Sequence, residues 1–430
     1  MKRGVLARAG YSALLRGLTP VYLARLWWRG RRERTYRHAM AERLGLYREP
    51  LPEPGALWVH AVSLGETRAA APLIEALRRQ RPGLRLLLTH STATGREAGL
   101  ALLQPGDRQA WLPYDTPGAV RRFLEHFRPA VGVLMETEIW PGLLMAARRA
   151  RVPMVLANAR LSDKSLHKGQ RLQRLLSPAV ASLKLVLAQT EADAQRLRQA
   201  GAQQVEVCGN LKFDMTPPPA LLQQGQAWRD ALARPVVLMF SSREGEEAPL
   251  LAAWQQLPAP RPLLLLVPRH PQRFDAVAAL VHAQGLSLAR RSAWTEHPPA
   301  DALLSDVWLG DSLGEMPLYF GCAQVALLGG SFAPLGGHNL IEAAACACPV
   351  VMGPHTFNFA QAAELALAAR AALRVASLAE GTRVAAQLAA HPVEAADAAQ
   401  RALEFATAHR GATERVAQRI AALWPATAPA

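Results

Sequence analysis

Cysteine is scarce in this chain, with four residues in 430, which excludes a disulfide framework. Cys346 and Cys348 form a C-x-C pair, but no second Cys or His pair follows nearby to complete a metal site. We predict that they are small buried residues of a reduced, cytoplasmic protein. Charged residues are also few, at 19%, whereas 50% of the residues are hydrophobic, and this balance excludes a disordered or fibrous protein.

Three catalytic motifs are missing as well. The sequence has no Walker-type Gly-Lys-Ser/Thr, no Asp-x-Asp pair after an apolar strand and no G-x-S-x-G elbow. Their absence speaks against a P-loop enzyme, a metal-dependent sugar transferase and an elbow-type serine hydrolase. We therefore expect chemistry that needs neither a metal nor another cofactor.

Acidic residues are outnumbered, and the net charge of +15 is concentrated at the N-terminus. Residues 1–50 hold twelve Lys/Arg and three Glu, which gives +9, interleaved with Leu, Tyr and the pair Trp27-Trp28. Arg16 and Arg25 interrupt the apolar runs, so a membrane-spanning helix is disfavoured, and no signal cleavage site follows. We predict a basic amphipathic anchor on an anionic membrane surface. Nucleic acid is the rival partner of such a patch, but the Trp pair and long aliphatic side chains favour lipid.

From residue 56 onward, short apolar runs alternate with stretches of helical periodicity such as 67–80, 117–127 and 140–150. This repetition predicts two doubly wound parallel α/β domains that face each other across a cleft. The predicted division is an anchor at 1–50, a first Rossmann-like domain at 51–214, a Pro-rich linker at 215–235 and a second domain at 236–424 ending in helices. The predicted strands are 56–62, 84–90, 109–113, 130–137, 152–158, 183–189, 205–208, 236–240, 262–267, 306–309, 324–328 and 349–352.

The turn after the first predicted strand contains a candidate catalytic carboxylate. Ser63 and Gly65 allow a tight turn, which leaves Glu66 at the start of a helix. A carboxylate in that place can be a general base towards a sugar hydroxyl. It can equally be a first-turn acid that complements the helix dipole, and the pattern alone does not separate the two.

Two further acids, Glu136 and Glu138, end the strand predicted at 130–137. Alternation along a strand would point both to the same side, where they could position a substrate or stabilise a cation. A helix N-cap before Trp140 would account for Glu138 but not for both acids. Lys212, beside the linker, could stabilise a leaving phosphate, although loop lysines are usually only solvated.

Strand ends in the second half provide candidate nucleotide contacts. Arg269 suits a phosphate clamp, and the turn 311–316 could hold a base or ribose through backbone groups. The amides and hydroxyls of the turn 241–247 could bind an anion. In the Gly-rich stretch 336–342, helix N-terminal amides would receive phosphate and Glu342 would accept from ribose hydroxyls.

Taken together, these motifs resemble the 3-deoxy-D-manno-octulosonic acid (Kdo) transferases of Gram-negative lipopolysaccharide synthesis. The matching segments occur in the family's order over roughly residues 58–360. They are His60 to Glu66, Met135 to Pro141, Ala157 to Ser162, Gly209 to Asp214, Val267 to Arg273, Gly310 to Met316, Gly329 to Ser331, Gly336 to Glu342 and Met352 to Phe359.

The resemblance implies a GT-B fold and transfer of Kdo from CMP-Kdo to the lipid A precursor, at the cytoplasmic face of the inner membrane. By position, Glu66 looks like the general base for a direct, inverting displacement at the Kdo anomeric carbon. One of Glu136 and Glu138, together with Lys212, looks like the group that stabilises the transition state. The residues that look like the CMP site are Pro268, Arg269, Leu313, Gly314, Glu315, Asn339, Leu340, Ile341 and Glu342, with Glu342 on the ribose.

Three alternatives remain open at this stage. One is another GT-B enzyme that uses a UDP-sugar, and a second is a sugar-nucleotide epimerase, which needs neither the anchor nor the turn at Glu66. The third is a peripheral membrane or nucleic-acid binding protein. Arg243 stands where some relatives have His, so the resemblance assigns it no role.

Overall fold

The structure is a computed structural model that describes residues 2–31 and 33–424, with side chains from residue 6 onward. Met1 and Arg32 of the predicted anchor lie outside the described residues. The chain forms two compact units. Unit 1 comprises the described residues up to Asp214 together with those from Gly411 onward, and unit 2 spans Met215–Arg410.

Unit 1 contains a parallel sheet of seven strands in the order β3-β2-β1-β4-β5-β6-β7. The inner strands are buried along their whole length, which explains why they read as continuous apolar runs without alternation. The strands are β1 Leu57–His60, β2 Leu86–His90, β3 Arg108–Trp111, β4 Val131–Met135, β5 Met154–Ala159, β6 Leu185–Ala188 and β7 Val205–Val207.

Helices follow these strands and cover the sheet. Several begin at a Ser or Thr N-cap whose side chain accepts an amide hydrogen bond one turn later, as Ser63, Thr92 and Thr190 do. The helices are α1 Lys2–Arg29, α2 Leu64–Gln80, α3 Ala93–Leu100, α4 Pro117–Phe127, α5 Pro141–Arg149, α6 Asp163–Gln170, α7 Gln173–Val180 and α8 Glu191–Gln199.

Helix α1 forms most of the predicted anchor. It is continuous through Pro20, a residue that would be expected to kink or divide it. Its half-buried positions recur every three or four residues, whereas Leu14, Val21 and Trp28 are at least 60% exposed. Apolar residues therefore occupy both faces, and the helix is less one-sided than the predicted amphipathic anchor. Within the described part of the chain, no helix combines the length and the apolar character that a membrane span requires.

Unit 2 contains a second parallel seven-stranded sheet, in the order β10-β11-β9-β8-β12-β13-β14. The sequence prediction missed the two edge strands, β10 and β14. Each has three residues and is largely half-buried or exposed, so neither has an apolar run, and β14 lies in an Ala-rich stretch predicted as helix. The strands are β8 Val236–Ser242, β9 Leu263–Pro268, β10 Leu288–Arg290, β11 Val307–Leu309, β12 Val325–Leu328, β13 Val350–Met352 and β14 Ala372–Arg374.

The first helix of unit 2 occupies most of the segment that was predicted to be a linker. Residues 219–232 form a helix that packs into the unit with Trp228 and Leu232 buried, whereas the prediction made 215–235 a linker. The run of prolines hid this helix because proline is also common at the first helical position. The helices are α9 Pro219–Leu232, α10 Glu247–Gln255, α11 Phe274–Ala283, α12 Ala300–Leu304, α13 Met316–Cys322, α14 Ile341–Ala345, α15 Ala360–Ala368, α16 Leu378–Ala390 and α17 Pro392–Ala408.

The last helix, α18 Ala412–Ala421, belongs to unit 1 and not to the predicted second domain. Val416 and Ile420 lie in the same buried cluster as Leu73 of α2. Asp214 accepts hydrogen bonds from the amides of Gly411 (2.6 Å) and Thr413 (2.5 Å), so it caps the start of α18. The two places where the chain passes between the units are therefore joined by one carboxylate.

Candidate active site

Glu66 lies in the first turn of α2, at the carboxyl end of β1. Ser63 and Glu66 cap the start of α2 in an arrangement close to a capping box, except that Glu66 accepts from the amide before the N-cap residue. The Ser63 hydroxyl accepts from the Glu66 amide (3.4 Å), while Glu66 Oε2 accepts from the Val62 amide (2.8 Å). The second carboxylate oxygen, Oε1, accepts only a longer bond of 3.3 Å from the Ser63 hydroxyl. One oxygen thus fixes the side chain and the other can take a further hydrogen bond.

The environment raises the pKa of Glu66 to about 7. Burial is the main cause, and the negative charges of Glu136 and Glu138 add to it, against the opposing hydrogen bond from the Val62 amide. A carboxyl group that titrates near neutrality is matched to proton transfer. Glu66 therefore combines a capping hydrogen bond with a pKa that is suited to proton transfer.

Glu136 is 4% exposed and lies between two cations. Lys212 Nζ donates to its Oε1 at 2.6 Å, and Arg160 Nε donates to its Oε2 at 3.0 Å. Burial opposes ionisation, but Lys212 and Arg160 outweigh it and lower the pKa of Glu136. We call these three residues the Glu136 triad. It carries one net positive charge, and Lys212 is a structured partner in it rather than a solvated loop lysine.

Glu138 has a different environment. Trp140 Nε1 donates to its Oε2 at 2.7 Å. Burial and the nearby Glu136 raise the pKa of Glu138, against this hydrogen bond. His60 Nε2 lies 3.8 Å from the same oxygen, but burial and the nearby His90 lower the pKa of His60 to about 3, so the two do not form an ion pair at neutral pH.

The local backbone corrects two sequence arguments about these acids. Strand β4 ends at Met135 and Glu136 has a positive φ of 57°, so strand alternation does not bring Glu136 and Glu138 to one side; the turn does. Glu138 does not cap α5 either. That role belongs to Asp115, which accepts from the Gly142 (2.8 Å) and Leu143 (2.5 Å) amides.

In unit 2, basic side chains gather at the carboxyl ends of β8, β9 and β12. The pKa of His338 falls to about 4 because the ring is buried and because Arg269, Arg243 and His270 lie close to it. Gly330, with φ of 71°, lies against both His338 and Arg243, since an added Cβ would be 3.5 and 3.6 Å from their atoms. We call His338, Arg269, Arg243 and His270 the basic cluster. Its positive field suits a phosphate or carboxylate.

One amide of the turn 241–247, which the sequence suggested could bind an anion, is already occupied. Glu246, which is 2% exposed, accepts from the Arg243 amide (3.0 Å) and, with both oxygens, from the Gly330 amide (2.9 and 2.8 Å). Within the turn, the Arg243 amide therefore already has an internal carboxylate as its acceptor. The turn contributes to the basic cluster through the Arg243 side chain instead.

The turn 311–316 is held by side chains from the neighbouring edge of the sheet. Arg291 donates to Glu315 Oε1 at 2.8 Å, and Arg290 Nε donates to Asp311 Oδ2 at 2.7 Å. Leu313 is 75% exposed, and Gly314 has a φ of 85° with open space beside it. The backbone of Leu313 and Gly314 is therefore accessible to a ligand, whereas the Glu315 side chain is already paired.

The stretch 336–342 leads into α14, which has five residues. Asn339 Oδ1 accepts from the Ile341 amide at 3.2 Å, and the side chains of Leu340 and Ile341 are at most 1% exposed. These two residues can therefore reach a ligand only through the backbone. Glu342 lies in the first turn of α14 and is half-buried.

The predicted residues form two groups. Unit 1 brings together Glu66, Glu136, Glu138 and Lys212, and unit 2 carries the predicted nucleotide residues around β9, β11 and β12. Sequence reasoning gave no individual role to four side chains that the structure places in or beside these groups: Arg160, Arg243, His338 and Glu246. Arg160 follows strand β5 and could have been found by its position at a strand end.

The four cysteines are free and buried, which includes Cys346 and Cys348, the two predicted to be buried. Across residues 2–31 and 33–424, no three His, Cys, Asp or Glu side chains are grouped closely enough to hold a metal ion.

Comparison with known proteins gives consistent matches. The family model described as 3-deoxy-D-manno-octulosonic-acid transferase (kdotransferase) matches residues 38–215. The 3-deoxy-D-manno-octulosonic acid transferase of Bordetella pertussis is 49% identical over 95% of this chain and 98% of its own length. That of Haemophilus influenzae is 33% identical over 94% of this chain and 96% of its own. The structure of Anabaena Alr3699/HepE in complex with UDP covers 86% of this chain and 100% of its own with a TM-score of 0.59, and at 16% identity it shows the fold alone.

Proposed function

The chain belongs to the Kdo transferase family, and from this premise we propose that it transfers Kdo from CMP-Kdo to a lipid A precursor at a membrane surface. It is a glycosyltransferase with the α/β architecture of the GT-B class. We propose the donor, the acceptor, the role of each residue and the membrane location.

The environment of the Glu66 carboxyl group is the main support for this reaction. Its carboxyl group has a pKa of about 7, keeps one oxygen weakly engaged and lies near the Glu136 triad. A sugar hydroxyl becomes a nucleophile only when a base takes its proton as it attacks. A helix cap would need no such pKa, since a fully ionised carboxylate caps a helix better.

The proposed reaction is a single displacement. The Glu66 carboxylate removes the proton of an acceptor hydroxyl as that oxygen bonds to the anomeric carbon of Kdo. The bond from this carbon to the phosphate oxygen breaks, CMP leaves with the electron pair, and the configuration inverts. The net positive charge of the Glu136 triad and the charge of the basic cluster both favour the anionic groups of the substrates.

On the donor side, Arg269 and His338 of the basic cluster are assigned to the phosphate, with Pro268 beside them at the end of β9. The exposed backbone at Leu313 and Gly314 is assigned to the cytosine or ribose edge, and Glu342 to the ribose. The Glu315 side chain holds its turn through Arg291. Asn339, Leu340 and Ile341 are assigned backbone contacts.

A donor screen tests the function directly. Purified protein is incubated with the tetraacylated lipid A precursor and either CMP-Kdo or a panel of UDP-sugars, and products are weighed by mass spectrometry. We expect products heavier by whole Kdo residues with CMP-Kdo alone. Turnover of UDP-sugars without turnover of CMP-Kdo would replace the proposal with the UDP-sugar alternative.

Replacing Arg269 with Ala should weaken donor binding because the phosphate loses a charge-assisted hydrogen bond. Such bonds contribute about 1.5–3 kcal/mol, so the Kd for CMP should rise about tenfold or more. Isothermal titration with CMP measures this, and Arg383→Ala, at an exposed position on α16 of the same unit, is the matched control. Equal CMP affinity in Arg269→Ala and the control would remove Arg269 from the donor site.

The exposed face of α1 is proposed to lie on the membrane. Leu6, Leu14, Val21 and Trp28 are each at least 60% exposed there, with basic side chains between them. Trp28→Ala should lower partition onto phosphatidylglycerol-containing vesicles roughly tenfold, the scale of one large apolar side chain. Co-sedimentation measures this, with Leu304→Ala, 83% exposed in unit 2, as control. Equal loss in both variants would contradict a specific role for α1.

A further inference from the structure

A groove of about 1030 Å³ runs between helices α1, α4 and α5 of unit 1. We call it the α1–α4–α5 groove. Its size is at the upper end of the range for small-molecule sites, about 300–1,000 Å³. None of the residues assigned to catalysis or to the nucleotide lines it.

The lining of the groove is strongly basic at its rim. Five arginines line it, against the single carboxylate of Glu125. Arg121 lies 3.8 Å from that carboxylate, which leaves an excess of four positive charges over the groove. The five are Arg8, Arg16, Arg121, Arg128 and Arg149.

The floor of the groove is apolar. Leu124 and Leu175 are buried there, and Met145, Ala146 and Val152 are half-buried. A groove with an apolar floor and an arginine rim matches a molecule that has hydrocarbon chains and anionic groups together. A soluble sugar phosphate would leave the floor unused, and a neutral lipid would leave the rim uncompensated.

The groove begins at the catalytic edge of the sheet. Its lining includes Pro117 and Pro141, the first residues of α4 and α5, and Pro141 comes three residues after Glu138. From there it follows α5 to Arg149 in the last turn, a length of about 13 Å at 1.5 Å per residue. A ligand in the groove would therefore have one end at the edge of the sheet where β4 ends and Glu138 follows.

One wall of the groove is fixed to that edge by a hydrogen bond. Tyr11 of α1 donates to Asp115 Oδ2 at 2.9 Å, and Asp115 accepts from the Gly142 and Leu143 amides that open α5. Helix α1 is thereby attached to the start of α5, and the groove is a built feature rather than a gap beside a loose helix.

From the basic rim, the apolar floor and the start at the catalytic edge, we propose that the α1–α4–α5 groove binds the acceptor lipid itself. An acyl chain lies on the floor and a phosphate lies against the rim arginines. This assignment rests on the proposed function, and it adds a lipid-binding site outside the residues that carry the chemistry. The occupant is one acceptor molecule and not bulk membrane lipid.

Two variants of the full-length protein separate the floor from the rim. Ala146→Trp fills the floor, and it should raise the KM for the tetraacylated precursor at least about tenfold, since excluding two methylenes already costs that factor. The KM for the deacylated, water-soluble counterpart should not change. Arg149→Glu should raise the KM for both acceptors, because both carry the phosphates.

The matched control for the rim is Arg148→Glu, which changes the neighbouring exposed arginine of α5 that lines no part of the groove. It should behave as wild type, and an unchanged thermal unfolding temperature in all variants should show that unit 1, which carries the groove, still folds. Wild-type kinetics with the acylated acceptor in both Ala146→Trp and Arg149→Glu would overturn the proposal. The proposal would also be overturned if Ala146→Trp and Arg149→Glu lost binding to phosphatidylglycerol vesicles as strongly as they lost the acylated acceptor. The groove would then be a general membrane contact.

The proposed function and the groove can fail separately. Binding of the tetraacylated precursor is measured without donor by isothermal titration in detergent. If wild type transfers nothing but binds this lipid and Ala146→Trp does not, the reaction is wrong and the groove stands. If wild type transfers Kdo and Ala146→Trp binds and uses the acylated lipid normally, the groove is wrong and the reaction stands.

Discussion

Replacing Glu66 with Gln is expected to lower kcat roughly 10²-fold or more while leaving the Kd for CMP unchanged. Gln keeps the shape and can still accept from the Val62 amide, but it cannot take a proton from the acceptor hydroxyl. Initial rates with CMP-Kdo and the lipid A precursor measure the first quantity, and titration with CMP measures the second. Glu75→Gln, an exposed acid on the same helix, is the control and should retain full activity.

The pH dependence sharpens this result. Because the pKa of Glu66 is about 7, wild-type kcat/KM should fall tenfold per pH unit below that value and level off above it. The residual activity of Glu66→Gln should lack this slope. Near-wild-type turnover in the variant, or an unchanged slope, would remove Glu66 from the proton transfer.

Glu66→Gln should lower activity but raise the thermal stability of the protein at alkaline pH. The folded-state pKa of Glu66 is raised above its ordinary value of 4.5, so the folded protein holds a proton that the unfolded chain releases between these two pH values. The free energy of unfolding therefore falls as pH rises from about 4.5 to 7, because over this range the unfolded chain ionises while the folded protein keeps the proton. Glu66→Gln should therefore unfold at a higher temperature than wild type at pH 8, and this advantage should vanish near pH 4.

Replacing Lys212 with Met should cost the most stability of any single change in the site. It removes one of two cations from the Glu136 carboxylate, which is 5% exposed in its side chain, and leaves a buried charge held by Arg160 alone. Removing one partner of a buried pair typically costs 3–5 kcal/mol, and the remaining arginine places the expected loss near the lower end, at about 3 kcal/mol. Urea unfolding measures it.

A double-mutant cycle separates the ion pair from lost packing. Adding Glu136→Gln to Lys212→Met should restore part of the lost stability, because the buried charge has gone. Lys184→Met, at an exposed lysine of the same unit, is the control. If Lys212→Met is no less stable than this control, Lys212 is only a solvated lysine, as loop lysines usually are.

The fold was largely predictable because each buried parallel strand is a short apolar run ended by a turn. Strands β4 and β9 differ from their predicted limits by no more than two residues at either end. The edge strands β10 and β14 were not predictable, since three residues without an apolar run have no pattern that separates them from loop. Helix α18 was predicted as a helix but assigned to the wrong unit, because periodicity shows that a helix has an apolar face and not which core receives it.

The candidate site was predictable at strand ends and less so in its pairings. Position alone pointed to Glu66 and Glu136. That Lys212, seventy-six residues later, pairs with Glu136 depends on the order of strands in the sheet, which no local pattern contains. The turn 241–247 shows the same limit, because nothing in its local pattern indicates that the buried carboxylate of Glu246 accepts from the Arg243 amide.

Helix α18 also bears on the order in which the protein is made. Unit 2 is an uninterrupted stretch of chain, whereas unit 1 needs Val416 and Ile420 to complete the core around Leu73. During synthesis, all of unit 2 is therefore made before unit 1 is complete, and unit 2 can fold first. Unit 1, which carries Glu66, can complete its core only after α18 has been made. A ribosome that stops early leaves the proposed donor half intact and the proposed catalytic half with an open apolar face.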